Sequence, residues 1–299
     1  MALAKATSTP YRANGTQAMN RSMDAIACML NAAQAPSRSA TRVLLLGGTS
    51  ESWQLAAILA ERSDIILISS LAGRVSQPRF PKGLVRIGGF GGINGLISYL
   101  EAERIAGIID ATHPFAIRIS QNAEAACREL ALPLIAFARP VWEKTAGDVW
   151  HEVEDLPAAA ELVDQAQGRV FLSIGRQELA VFADCARSTY LIRAIEQPLP
   201  PLPLHHHLIL ARGPFDLDHE RELLREHAID VVVSKNSGGN ATYSKIAAAR
   251  ELGLPVVMIR RPRKHTVRTA DTVEEVCTEL DRLFGNDSPA PVRAAEATR

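Results

Sequence analysis

The chain has 299 residues, with 33 basic and 33 acidic side chains and no formal net charge at neutral pH. That balance excludes the broad basic surface that general nucleic-acid or anionic-membrane binding requires, and no apolar run is long enough to span a bilayer. Hydrophobic residues make up 47% of the chain, enough for the core of one large or two modest domains. Cys28, Cys127, Cys185 and Cys277 stand far apart without metal-ligand spacing, so free thiols in a reducing compartment are expected.

Residues 1–40 are rich in Ala, Ser, Asn and Arg, and Asp24 is their only acid. No apolar segment there leads to a cleavage site, so a disordered or weakly structured extension is expected rather than a secretory signal. A buried strand over 43–46 then runs into Gly47-Gly48-Thr49-Ser50-Glu51-Ser52. A helix over 53–62 follows, with apolar residues at Trp53, Leu55, Ala56, Ile58 and Leu59. Further strands are predicted at 65–69, 85–87, 107–110 and 134–137, with helices at 93–104 and 117–130. The rhythm changes after Arg139-Pro140. An extended segment within 142–153 leads to a helix at 156–165, a strand at 170–173, a short helix near 177–183 and a strand at 189–193. Pro198, Pro200, Pro201 and Pro203 mark a loop. Strands at 208–211, 229–234 and 256–259 then alternate with helices at 217–227, 242–252 and 273–284, and 286–299 reads as a flexible tail. The prediction is an α/β fold of two domains, 41–140 and 141–285, with mainly parallel sheets and a cleft between them.

The glycine turn after the first strand opens a helix, and its N–H groups and the helix dipole favour a phosphate. It is not a full G-x-G-x-x-G, since Ser50 and Ser52 stand where glycines would be. The second strand ends Ser69-Ser70-Leu71-Ala72-Gly73-Arg74 without an acid, which favours a 2′-phosphate, and so NADP, over NAD. Gly88-Gly89-Phe90-Gly91-Gly92 can lie against a flat ligand or simply turn. Thr112 and His113 follow the fourth strand at the carboxyl end of the sheet. There His113 is a candidate proton donor or hydrogen-bond anchor. Lys235-Asn236-Ser237-Gly238-Gly239 leaves another buried strand and forms a second candidate anion loop, though the lysine precedes the glycines and no Walker loop results. Adjacent side chains of His205-His206-His207 point to opposite faces and do not readily share one metal ion. Arg118, Arg139, Arg176, Arg193, Arg212 and Lys245 can bind carboxylates if they converge on the cleft. No Tyr-x-x-x-Lys pair and no Gly-x-Ser-x-Gly elbow occurs.

Taken together, these segments resemble the precorrin-6A reductase family of cobalamin biosynthesis. The resemblance runs over roughly 42–262. It rests on Leu46-Gly47-Gly48-Thr49-x-Glu51, Ser70-Leu71-Ala72-Gly73-Arg74, Asp110-Ala111-Thr112-His113-Pro114-Phe115-Ala116, Ser120-x-Asn122-Ala123, Arg139-Pro140-x-Trp142, Gly213-Pro214-Phe215, Lys235-Asn236-Ser237-Gly238-Gly239, and Lys245 through Arg261-Pro262. It implies a cytoplasmic, NADPH-dependent reductase of two Rossmann-like domains without metal, which converts precorrin-6A to precorrin-6B by reducing one carbon–carbon double bond. A sister branch acts on the cobalt-containing substrate, and no residue separates the two. On this reading Gly47, Gly48 and Thr49 hold the pyrophosphate, Ser70 and Arg74 the 2′-phosphate, and Gly73 and Gly89 the adjoining nucleotide. Thr112, Ser237, Gly238 and Gly239 line the cleft, with His113 and Lys235 as catalytic candidates. The tetrapyrrole is the expected partner, and other enzymes of the pathway are candidates. A redox sensor that binds NADP without turnover is the alternative of another class, and a sugar-nucleotide epimerase, without Tyr-x-x-x-Lys, a weaker third.

Overall fold

The computed structural model describes residues 40–73, 80–264, 267 and 269–285. The expectations for residues 1–39, for Arg74 and for the tail after 285 lie outside the described residues.

Short apolar runs become strands, and central ones such as those over Gly107–Asp110 and Val231–Lys235 are buried on both faces. The first half holds β1 (Thr41–Leu46), β2 (Ile65–Leu71), β3 (Leu84–Ile87), β4 (Gly107–Asp110) and β5 (Leu134–Phe137), with helices α1 (Ser50–Leu59), α2 (Ile93–Ala102) and α3 (Ile117–Glu129) between them. The second half holds β6 (Val149–Val153), β7 (Arg169–Ser173), β8 (Thr189–Ala194), β9 (His206–Leu210), β10 (Val231–Lys235) and β11 (Pro255–Ile259). Between these lie α4 (Leu156–Ala166), a 3-10 turn at Arg176–Phe182, α5 (Leu217–Glu226) and α6 (Ser244–Glu251). The described chain ends with β12 (Thr269–Ala270) and α7 (Val273–Phe284).

Two six-stranded sheets result, ordered β12-β5-β4-β1-β2-β3 and β6-β11-β10-β7-β8-β9, and every pairing is parallel. Each order reverses once, between β1 and β4 and between β7 and β10, and ligands of open parallel sheets bind beyond the strand ends at such a reversal. Strand side chains alternate between faces, so each sheet carries two cores. Val43 and Leu45 pack with Leu55 and Leu59 of α1, whereas Leu44 and Leu46 pack with Leu96 and Leu100 of α2 and Ala123 of α3. In the second sheet Val231 and Val233 face α4, and Val232 faces α5 and α6. No helix among the described residues is long and apolar enough to cross a membrane.

The division at 140 and 285 differs from the structure at its far end. The chain returns to the first sheet, where β12 pairs with β5, Thr269 opposite Ala136 and Ala270 opposite Phe137. Val276 and Leu280 of α7 complete the core of Leu55 and Leu59, so residues 269–284 belong with the first sheet. A two-residue strand is too short to show a period, and the apolar stripe of α7 signals burial without naming the sheet that buries it. Likewise α1 begins at Ser50, three residues before the predicted start, because Thr49 caps it: its hydroxyl accepts the Ser52 N–H.

Candidate active site

The glycine turn joins β1 to α1 at the reversal point of the first sheet. Its amides already have partners. The Gly47 N–H donates to the Ser70 carbonyl (3.0 Å), and those of Gly48 and Thr49 both donate to Ser52 Oγ (3.0 Å each). Ser52 Oγ in turn donates to the Thr49 carbonyl (2.7 Å). The expected role of Gly47, Gly48 and Thr49 amides as pyrophosphate donors therefore meets an internal acceptor, supplied by the capping serine. What the turn offers a ligand is the positive end of α1, starting at Ser50. Thr49 Oγ1 donates to the Ala111 carbonyl (2.9 Å) and ties this turn to the end of β4. Beside it, Arg139 Nη1 donates to Glu51 Oε2 (2.6 Å). Burial pushes the Glu51 carboxyl up, but Arg139, its own amide and Ser50 outweigh this and hold it below the ordinary glutamate range.

At the outer edge Ser70 stands opposite Arg86 in the β2–β3 register. Gly73 has φ +68°, and a Cβ there would lie 3.1 Å from Ile87 Cγ2. Arg86 donates from Nη1 to the Gly88 carbonyl (2.6 Å) and from Nη2 to the Gly89 carbonyl (2.8 Å). Sequence reasoning passed over this arginine, because carbonyl partners leave no side-chain signature.

The loop after β4 is held by a buried carboxylate. Asp110 Oδ1 accepts from the Thr112 N–H (2.9 Å), Thr112 Oγ1 (2.6 Å) and Lys264 Nζ (3.3 Å). Lys264, on the segment returning to β12, also donates to Thr112 Oγ1 (2.8 Å) and to the Thr112 carbonyl (3.1 Å). Burial pushes the Lys264 pKa down against the pull of Asp110. Lys264 is a second site residue absent from the sequence reading. It lies beyond the last recognisable motif.

His113 is half-buried, and the Phe115 N–H donates to its Nδ1 at 3.3 Å. That bond assigns the imidazole proton to Nε2. Burial pushes its pKa down to about 3, and the charges of Lys235, Arg139, Lys264 and Arg261 add to the shift. His113 is therefore neutral at physiological pH: it can donate a hydrogen bond, but it is not a standing imidazolium.

From the second sheet, Lys235 Nζ reaches Glu178 Oε1 (2.6 Å) and Oε2 (2.5 Å) and lies 4.8 Å from the centre of the Phe115 ring. The carboxyl ends of both sheets thus meet around His113 and Phe115. The loop after Lys235 is packed into the junction. A Cβ on Gly238 would lie 2.1 Å from the Pro140 carbonyl oxygen, and one on Gly239 would lie 2.8 Å from Glu51 Oε1. Both have φ near +70° (+66° and +70°). The Ser237 carbonyl accepts from Arg139 Nε (2.8 Å) and Arg261 Nη2 (2.9 Å). In this loop, expected from sequence to form an anion site, Gly238 is closely approached by the Pro140 backbone and Gly239 by the side chains of Glu51 and Arg139. Asn236 pairs with the Trp142 backbone through both side-chain atoms (2.8 and 2.9 Å). Of the other arginines, Arg193 is bound fork-to-fork to buried Glu220 (2.8 and 3.0 Å).

A family model described as "Precorrin-6x reductase CbiJ/CobK" matches residues 42–281. A protein of Rhodococcus erythropolis named "Precorrin-6A reductase" is 51% identical over 222 residues, 74% of this chain and 90% of that protein. Another of that name, from Rhodobacter capsulatus, is 44% identical over 246 residues, 82% of this chain and 95% of that protein. A solved structure described as "CobK precorrin-6A reductase" superposes with a TM-score of 0.77 at 42% identity, covering 84% of this chain and all (100%) of that one.

Proposed function

The chain belongs to the precorrin-6x reductase family, an oxidoreductase of cobalamin biosynthesis that reduces precorrin-6A, and on that premise we propose that its reductant is NADPH and that nucleotide and macrocycle meet where the carboxyl ends of the two sheets converge. The carrying observation is the convergence of Lys235, Arg139, Lys264 and Arg261 on His113: the first three are paired with Glu178, Glu51 and Asp110, and Arg261, held by backbone carbonyls, has no carboxylate partner among the described residues. A ligand of many carboxylates, or a pyrophosphate, is the chemistry that such a cluster attracts.

The described residues fit a phosphorylated dinucleotide. The glycine turn and the α1 N-terminus lie at the reversal point. The end of β2 carries hydroxyls and no acid, and Arg86 stands next to Ser70. Gly47, Gly48 and Thr49 shape the pyrophosphate end, with the first turn of α1 supplying the field. Ser70 serves the 2′-phosphate, the role also expected from sequence for Arg74, which lies outside the described residues, and Gly73 and Gly89 keep the ribose edge clear. Thr112, Ser237, Gly238 and Gly239 form the floor and wall of the cleft.

When bound, the nicotinamide supplies a hydride equivalent. The chain's own residues orient and polarise. His113, neutral with its proton on Nε2, is a hydrogen-bond donor to an accepting nitrogen or carboxylate of the macrocycle. Lys235, aligned by Glu178, offers a fixed positive charge to the same ligand. The proton that completes the reduction comes from solvent. The free thiols of Cys127, Cys185 and Cys277 suit a reducing, cytoplasmic setting.

The test is anaerobic incubation with NADPH and precorrin-6A, following NADPH absorbance and product mass. NADPH loss with a gain of two hydrogens is expected, and a parallel run with the cobalt-containing macrocycle separates the two substrates. Binding of NADPH without turnover on either macrocycle would point to a sensor and refute the reading.

A further inference from the structure

The edge where β2 and β3 end carries a cation that no carboxylate of the described residues neutralises. Arg86 lies half-buried, and burial pushes its pKa down with only Tyr99 acting against it. Burial of a cation without an anionic partner is unfavourable, and a bound anion removes the penalty. Its orientation is fixed from three sides. The carbonyls of Gly88 (2.6 Å) and Gly89 (2.8 Å) accept from Nη1 and Nη2, and Ser70 Oγ lies 3.4 Å from Nη1. The guanidinium carbon sits 3.7 Å from the centre of the Phe90 ring, which meets Tyr99 edge-on at 5.3 Å. A guanidinium has five N–H donors. Those contacts leave two for a ligand. Among the described residues, a Cβ on Gly88 or Gly89 would find nothing within 4 Å, which leaves room for a ligand above the loop. The position is also apt: the end of the second strand is where such sheets meet the adenosine ribose.

We propose that Arg86 is a specificity residue that selects a 2′-phosphorylated nucleotide, its guanidinium receiving the ribose 2′-phosphate beside Ser70 while the Gly88 and Gly89 carbonyls and the Phe90 ring hold it in place. The proposal rests on NADPH being the reductant and assigns the residue that discriminates it from NADH. The pre-set fork lowers the ordering cost of phosphate binding, which a lysine on a free stem would not do.

Calorimetric titration of the full chain with 2′,5′-ADP and with 5′-AMP tests this without turnover. The unsubstituted protein should favour 2′,5′-ADP by about 10- to 100-fold, the range of charge-assisted hydrogen bonds. Arg86→Gln should cut that preference to within about threefold while leaving 5′-AMP affinity within about twofold, and Arg86→Lys should retain part of it. A preference that survives in Arg86→Gln overturns the proposal and leaves NADPH as reductant. Equal loss of both probes with a lowered melting temperature makes Arg86 a structural clamp and also overturns it. Absence of any preference in the unsubstituted protein overturns both the proposal and the NADPH reading.

Discussion

His113 shows how the surroundings of one side chain limit its chemistry. Its motif was legible, but its protonation state was not. Burial depresses it most, and the cations that add to this lie at positions 139, 235, 261 and 264, brought together only by the fold. Its folded pKa of about 3 lies below the ordinary 6.5, so between these values the unfolded chain binds the proton and the folded one does not. This contribution to stability is therefore intact above pH 6.5 and is lost as pH falls towards 3. NMR titration of the ligand-free protein should show no His113 transition between about pH 5 and 8, whereas an exposed histidine would titrate near 6.5. His113→Ala should lower kcat/KM by about tenfold, as loss of one hydrogen bond to a charged group does, without moving the pH profile. Unchanged turnover with intact NADPH binding would remove His113 from the site. Gly238 and Gly239 carry the complementary lesson. A Ser/Gly loop does not announce which parts of the chain approach it, and those that do, the Pro140 carbonyl at Gly238 and Glu51 and Arg139 at Gly239, are remote in sequence.

At the scale of elements, most strands and helices were legible within a few residues, because buried parallel strands are near-continuous apolar runs. β4, β5 and α7 fall on their predicted spans, and the Thr49 cap moves α1 forward. The assignment of α7 to a sheet was not legible. Leu280, 1% exposed, lies in the core with Leu55 and Leu59. Leu280→Ala should cost about 3 kcal/mol. Because α1 opens at the glycine turn, the loss should fall on the first sheet. Urea unfolding followed by hydrogen exchange should show reduced protection in β1 and α1 with β7 and β10 unaffected. Loss confined to the second sheet would contradict the placement of residues 269–284.

At the scale of the molecule, two sheets of one strand order present their carboxyl ends to a common junction. In the first, the reversal point holds a glycine turn and a helix N-terminus. In the second, the equivalent place is occupied by the chain's own Lys235–Glu178 pair. The proposed placement of the nucleotide on the first sheet, facing the Lys235–Glu178 pair of the second, rests on this asymmetry. Lys264, on the return from the second sheet, holds Thr112 next to His113, so the crossing segment is also part of the site. Two mainly parallel sheets were readable from the alternation of elements, but this crossing was not, since no periodic pattern marks it. The central claim is direct hydride delivery from NADPH to precorrin-6A at the junction. Its most direct test is anaerobic turnover with NADPH deuterated at both positions of nicotinamide C4, with mass analysis of the product. One deuterium and one solvent hydrogen added per macrocycle is the predicted result; a reduced product without deuterium would contradict it.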